Sequence, residues 1–134
     1  VVRGGMVGYL HGGGPGELNT PHGVAIDTQG RVLVADSGNK RVSIFAKDGP
    51  FLKAVATPSR GGIVATPDGS IYVSDVNAGA VTVLRQDQIV DVIKVDGRPH
   101  GLAVDPSTGD VYTSSTLANQ WNVSKSSLKK TPAQ

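Results

Sequence analysis

The chain has 134 residues, with 13 lysines and arginines against 11 aspartates and glutamates, and a formal net charge of +2. This length suits one domain, and the basic residues are too scattered to predict a nucleic-acid partner. The absence of cysteine excludes disulfides and thiolate metal sites. Neither a signal peptide nor an apolar run of the ~20 residues that span a bilayer is evident. We therefore expect a soluble protein with no membrane partner and leave its compartment open.

Residues 1–20 combine a weak strand pattern with a glycine-rich loop. Met6, Val7, Tyr9 and Leu10 are apolar, but glycines dilute them. The loop that follows, at 11–16, is dominated by glycine, which favours a flexible connection. We predict an outer strand and a crossover in this segment.

Residues 21–59 carry a stronger pattern of four short strands. Runs of aliphatic and aromatic residues alternate with turn signals. The strands are predicted at 23–27, 32–35, 41–45 and 51–56. Gly30 ends the first turn, where a positive φ precedes the returning strand. Asp36 follows the second strand, and its carboxylate is expected to accept hydrogen bonds from exposed backbone N–H groups.

The same unit recurs along the chain. Asp75 follows Asp36 by 39 positions. His100 follows His22 by 78 positions, which is twice that spacing. A period near forty residues with several strands in each copy is typical of propeller blades rather than helical solenoids. The copies occupy 21–59, 60–98 and, in degraded form, 99–123.

Residues 124–134 follow the third copy. Lysine, serine and threonine dominate this stretch, and apolar residues are scarce. Such a composition buries too little apolar surface to offset the entropy of ordering. We predict a flexible tail.

The first copy resembles the NHL repeat. Residues 21–45 read Pro-x-Gly-aliphatic-Ala-aliphatic-Asp, then Gly-x-aliphatic-x-Val-Ala-Asp-Ser-Gly-Asn-x-Arg-Val-x-x-Phe. Residues 60–84 match well, and 99–113 match in the first half of the motif. The resemblance implies an all-β fold, a β-propeller of four-stranded NHL-type blades. About three blades are then present, half of a six-bladed propeller, with 1–20 supplying the outer strand of a preceding or closing blade.

Three blades leave a ring open, with exposed sheet faces and edges. We expect one of two arrangements. Either the chain is half of a propeller whose remainder is missing here, or two copies form a homodimer that completes a six-bladed ring. In the dimer, residues 1–10 of one copy would complete the third blade of the other.

His22 and His100 are the candidate metal ligands. Each lies in a Pro-His-Gly triplet at the start of a predicted innermost strand. Innermost propeller strands line a central channel, so both imidazoles are expected near its axis. Converging imidazoles suit zinc, and calcium is the other cofactor considered. Two alternatives stay open: a tight entry turn in which the histidine bonds to backbone, and direct acid–base catalysis.

These two histidines are also similar to a motif of the peptidyl-α-hydroxyglycine α-amidating lyases. Those six-bladed propellers hold a channel zinc with histidines, several of them in Pro-His pairs. The similarity implies a metal-dependent lyase or hydrolase. Arg60 and Arg98 lie beside the same predicted strand entrances and are candidates to hold a ligand carboxylate.

Two functions therefore remain open. The first is a binding or scaffold module, with a protein or a small-molecule ligand on the propeller face or in the channel. The second is the metal-dependent lyase or hydrolase with its site in the central channel. The sequence leaves undecided whether the protein is an enzyme.

Overall fold

A computed structural model describes residues 9–47, 49–117 and 120–127, with side chains up to residue 115. In this part the chain forms eleven strands and one short 3₁₀ turn, Ser37–Asn39. The strands lie in three antiparallel sheets, and neighbours in a sheet are neighbours in the chain. The first sheet contains β1 (Pro21–Ile26), β2 (Val32–Asp36), β3 (Arg41–Phe45) and β4 (Phe51–Ala56).

The other two sheets repeat this up-and-down order. The second contains β5 (Ile63–Ala65), β6 (Ser70–Asp75), β7 (Ala80–Arg85) and β8 (Gln88–Lys94). The third contains β9 (Arg98–Val104), β10 (Asp110–Leu117) and β11 (Gln120–Ser127). The prediction of an all-β chain built from four-stranded units is confirmed for the first two sheets, and the third has three described strands.

In the first two sheets the two middle strands bury both of their faces, whereas β1 and β8 alternate along part of their length. In β2, Leu33, Val34 and Ala35 are all buried. In β8, exposed and half-buried residues alternate. This is the pattern expected when sheets stack face to face, because only the middle strands lie fully between neighbours.

Two apolar clusters fill the spaces between the sheets. The first cluster joins the first and second sheets through Leu33, Ala35, Val42, Ile44, Ile63, Ile71, Val73 and Leu84. The second joins the second and third sheets through Tyr72, Val81, Val83 and Val111, with Leu102 packed against it. Each large aliphatic side chain buried here contributes about 1.5–3 kcal/mol. The sheets therefore follow one another like the blades of a propeller.

The turn after the first strand contains a glycine with positive φ in each sheet. Gly30 and Gly69 have φ of 78° and 89°, and Gly109 has φ of 77°. Only glycine adopts this conformation without strain. The predicted role of Gly30 is confirmed.

Residues 9–20 form a loop against the first sheet. The ring of Tyr9 lies 4.5 Å from that of Phe45, which in turn lies 5.6 Å from Phe51. His11 and Leu18 form a single parallel bridge. The strand predicted in 1–10 is not seen at Tyr9 and Leu10, and residues 1–8 lie outside the described part.

Strand limits differ from the predictions in three places. β1 begins two residues earlier than predicted, at Pro21, and β9 begins at Arg98. β11 continues to Ser127, so residues 124–127, predicted as the beginning of a tail, belong to a strand. Backbone pairing explains this difference: Ser124 lies opposite Thr113 and Ser127 opposite Asp110. A ladder of backbone hydrogen bonds forms regardless of side-chain polarity. Residues 128–134 lie outside the described part.

None of the described residues belongs to a helix long and apolar enough to cross a membrane.

Candidate ligand-binding site

His22 and His100 occupy equivalent β-bulges. The residues on either side of His22 pair with Asp36 and Ala35, which are consecutive in β2, so His22 is the extra residue. The residues on either side of His100 likewise pair with consecutive residues of β10. A bulge re-aims one side chain and is frequent beside binding sites. The Pro-His-Gly triplets thus lie inside strands, not in entry turns as the alternative interpretation held.

All four sequence-predicted site residues line one open cavity of about 330 Å³. They come from the first strand of the first sheet, the segment before β5, and the first strand of the third sheet. The cavity is lined by His22, Arg60, Gly61, Gly62, Val76, Arg98 and His100. No carboxylate is among these lining residues. The four residues predicted from the repeat spacing therefore lie around one cavity.

Backbone contacts fix the wall of this cavity, which we call the histidine–arginine cavity. The N–H of Gly62 donates to Ser74 Oγ at 2.8 Å, and the N–H of Ser74 donates to the Gly62 carbonyl at 3.0 Å. The Val76 N–H donates to the Arg60 carbonyl at 2.9 Å. The equivalent bond in the third sheet joins the N–H of Gly101 to a serine hydroxyl at 2.9 Å. The arginine and histidine side chains project from this rigid backbone.

The side chains of the cavity are nearly all hydrogen-bond donors. Arg98 Nη2 donates to Asn77 Oδ1 at 3.4 Å, an exposed contact that leaves the other guanidinium N–H groups for a ligand. Arg60 makes no side-chain hydrogen bond to the described residues. Two guanidinium groups in one cavity attract carboxylate and phosphate groups. They also oppose a bound cation by Coulomb repulsion.

The described residues contain no group of three or more His, Asp, Glu or Cys side chains arranged to hold a metal ion. His22 and His100 supply two imidazoles, fewer than the three protein ligands of a catalytic zinc site. Calcium prefers six to eight oxygen ligands, and the lining side chains offer none. Zinc at the two histidines stays a prediction.

Asp36 confirms the structural role predicted for it. Its carboxylate is fully buried and accepts hydrogen bonds from the Asn19 N–H at 2.7 Å, Asn39 Nδ2 at 2.9 Å and Arg41 Nε at 2.9 Å. Arg41 Nη2 continues to the Glu17 carbonyl at 2.7 Å. The pair ties the loop before β1 to the first sheet.

A second network joins two sheets on the opposite side. Arg31 donates to both carboxylate oxygens of Asp87, at 2.9 and 3.1 Å. It also donates to Asp27 at 2.8 Å, and Lys53 Nζ lies 2.7 Å from Asp87. Hydrogen bonding to Arg31 lowers the pKa of Asp87 to about 2. The same bond to Asp87 raises the pKa of the Arg31 guanidinium. We call this group the inter-sheet clamp.

Sequence reasoning missed one candidate site residue, Asp75. It follows a strand as Asp36 does, and it lines a second cavity of about 440 Å³ that adjoins the histidine–arginine cavity at Arg60. The signal was available in the repeat. The positions that supply the donors of Asp36 are occupied in the second copy by Pro58, Ala78 and Ala80.

The chain is similar to known NHL-repeat proteins. Residues 18–45 match the family model described as the NHL repeat. NHL repeat-containing protein 3 of Homo sapiens is 33% identical over 86% of this chain, and that of Mus musculus is 34% identical over 82%. The chain spans 39% and 36% of the lengths of these two proteins.

Solved structures show the same fold at lower identity. Hydrazine synthase of Kuenenia stuttgartiensis is 21% identical, with a TM-score of 0.72 over 90% of this chain and 36% of that one. A catalytically inactive virginiamycin B lyase from Staphylococcus aureus, solved with quinupristin, is 16% identical, with a TM-score of 0.61 over 83% and 42%. These likenesses concern the fold alone. The chain thus carries an NHL repeat at residues 18–45, is similar to NHL repeat-containing proteins over most of its length, and forms successive antiparallel sheets like the blades of a β-propeller.

Proposed function

We propose that this chain is a binding module whose ligand docks in the histidine–arginine cavity. One observation carries the proposal: side chains 78 positions apart in the sequence converge on one cavity that has donors on its walls and no carboxylate among its lining residues. A packing role does not require this, because His22, Arg60, Arg98 and His100 are all exposed. The ligand is a protein or a small molecule that presents a carboxylate.

A protein partner fits the family best, because the NHL resemblance implies domains that bind other proteins. Nucleic acid fits less well. Phosphate-backbone binding uses many Lys and Arg contacts along a face, whereas the formal net charge here is +2 and the cavity contributes two arginines.

The experiment is a titration followed by ¹H–¹⁵N NMR. The probe is N-acetylglycine, which mimics the carboxyl end of a peptide, and N-acetylglycinamide is the uncharged control. We expect saturable shifts of the Gly61, Gly62 and Gly101 amides with the acid and none with the amide. The Arg60→Gln/Arg98→Gln variant should weaken binding at least about tenfold, because each charge-assisted bond contributes about 1.5–3 kcal/mol. Equal shifts with both probes would refute the proposal.

The second candidate is a metal-dependent lyase or hydrolase. Its supporting observation is that both bulged histidines line the same cavity. Native mass spectrometry with added zinc distinguishes the two functions. The enzyme predicts zinc retained by the wild-type chain and released by the His22→Ala/His100→Ala variant. If that variant retained zinc in full, the hypothesis of a metal-dependent enzyme at these histidines would be wrong. This result would not change the interpretation of the carboxylate titration.

A further inference from the structure

Asp75 is a buried carboxylate that lacks most of the partners of its repeat equivalent. Only 5% of the surface of Asp75 is exposed to solvent. Its Oδ1 accepts one hydrogen bond, from the Asn77 N–H at 3.1 Å. Its Oδ2 accepts none from the described residues. Oδ2 is not among the buried, unpartnered side-chain atoms of the described residues, so this oxygen is open to a donor from outside the chain.

Comparison of the two copies shows why Asp75 has fewer partners than Asp36. Each donor to Asp36 has a counterpart 39 positions later. The backbone N–H of Asn19 is replaced at Pro58, which has no N–H. The side chains of Asn39 and Arg41 are replaced at Ala78 and Ala80, which have no polar group. The second copy therefore has the acceptor without the three donors that the first copy provides.

The free oxygen faces a cleft large enough for a side chain from outside. The cleft lies between the turn after β2 in the first sheet and the turn after β6 in the second, and it measures about 440 Å³. It is lined by Thr20, Ser37, Gly38, Lys40, Pro58, Ser59, Arg60, Asp75 and Asn77. Among the described ion pairs none involves Asp75, so neither basic lining residue lies within 4.0 Å of its carboxylate.

We propose that this cleft, the Asp75 cleft, binds the guanidinium group of an arginine side chain from a partner. In the first sheet the equivalent acceptor is filled by a guanidinium, that of Arg41, which lies 2.9 Å from Asp36 and also donates to loop carbonyls. An arginine side chain of the partner would supply the guanidinium that the second copy lacks. The inference rests on the proposed function only in taking the partner to be a protein.

Lys40 and Arg60 act against this ligand. Both line the cleft and are exposed, so their charges oppose a second cation. They also make the cleft selective. A divalent ion meets the full repulsion, while a planar guanidinium spreads its charge and uses directed hydrogen bonds to the carboxylate. Removing the Lys40 ammonium is expected to strengthen binding.

The test uses capped amino acids as probes on the ¹⁵N-labelled chain. Nα-acetyl-arginine amide carries the guanidinium, and Nα-acetyl-citrulline amide is its uncharged isostere. We expect the arginine probe to shift the Ser59 and Asn77 amides saturably and the citrulline probe to leave them unmoved. Agmatine separates the two sources of a guanidinium: binding as tight as that of the capped arginine points to a small molecule, and weaker binding points to a peptide.

Variants link the binding to Asp75. Asp75→Asn should lower the affinity for the arginine probe at least about tenfold, the loss expected for one charge-assisted contact. Lys40→Ala should raise this affinity. Ala78→Asn, at an exposed position, restores in cis one donor of the first copy and should compete with the probe. Shifts that persist unchanged in Asp75→Asn, or that citrulline reproduces, would overturn the proposal. Arg98→Gln removes a charge from the histidine–arginine cavity but not from the Asp75 cleft, so it should weaken carboxylate binding and leave binding of the arginine probe unchanged.

Discussion

At the scale of single residues, the buried Asp36 carboxylate depends on its donors. It is fully buried and paired with Arg41, whose side chain is 15% exposed. A buried ion pair gains little over apolar packing, but removing one partner leaves an uncompensated charge in the interior. The pair is therefore more important for fixing the loop before β1 than its net energy suggests.

Arg41→Ala should lower the free energy of unfolding by about 3 kcal/mol, because Asp36 would be left buried without its guanidinium. Urea denaturation followed by circular dichroism measures the loss. Arg98→Ala is the matched control: Arg98 is exposed and makes one long hydrogen bond, so a change of under about 1 kcal/mol is expected. Equal losses in the two variants would contradict the account of the buried pair.

Two adjacent glycines make a sharper comparison at residue scale. A Cβ on Gly61 would collide with Ser74 Oγ and lie 2.8 Å from the Ser74 carbonyl oxygen, whereas a Cβ on Gly62 would lie 3.5 Å from Leu102. We expect Gly61→Ala to cost about 2 kcal/mol, as overpacking does, and Gly62→Ala to be nearly neutral. Thermal unfolding of both variants provides the check, and a neutral Gly61→Ala would show that the backbone shifts freely here.

At the scale of elements, the sheets are held together by the apolar clusters and by the inter-sheet clamp. The clamp joins the β1–β2 turn and β4 of the first sheet to the β7–β8 turn of the second. Asp87 is 17% exposed at its side chain and meets two cations. Such a bidentate, partly buried pair contributes more than an isolated surface ion pair.

The clamp should make stability depend on pH. The pKa of Asp87 falls from 3.8 to about 2 on folding, with its hydrogen bond to Arg31 as the largest cause. A lowered pKa stabilises the fold above the unfolded value and loses this contribution as the pH falls through the folded value. Asp87→Asn should therefore cost about 1 kcal/mol at neutral pH.

The difference between the wild type and Asp87→Asn should shrink as the pH is lowered towards about 2. Urea midpoints measured across this range test it. A difference that stays constant with pH would mean that the carboxylate charge contributes nothing.

At the scale of the whole molecule, the stack of sheets has two open ends. Val24 and Ile26 on β1 are 64% and 67% exposed, and Tyr112 on β10 is 37% exposed. Adjacent apolar side chains on an uncovered sheet face are typical of an association surface. In a closed propeller, neighbouring blades would cover both ends.

For the 134-residue chain alone, a second copy is the available cover. We expect native mass spectrometry to report a dimer, and Val24→Lys/Ile26→Lys to shift the population to monomers, because each lysine places a charge in the apolar contact. A folded wild-type chain that stays monomeric at all concentrations would contradict the dimer.

The sequence predicted the fold and the residues of one cavity, and the reasons are local. The repeat spacing placed His22 and His100 at equivalent positions, and alternating apolar runs located the strands. It did not predict the bulges, because an extra residue in a strand depends on pairing with the neighbouring strand. The Asp75 cleft was missed for a related reason: a carboxylate after a strand has the same local pattern whether or not distant donors reach it.

The side chain at the Asp36 position makes fewer hydrogen bonds in each successive sheet, and this difference predicts the order in which the sheets unfold. Asp36 accepts three hydrogen bonds and Asp75 accepts one. Ser115, which takes this place in β10, is 1% exposed, and its hydroxyl has no hydrogen-bond partner among the described residues. Cooperative opening begins where fewest contacts must break. The third sheet should therefore unfold first, and the amide hydrogens of β10 should exchange with deuterium well before those of β2. The first sheet would then be the last part of the molecule to unfold.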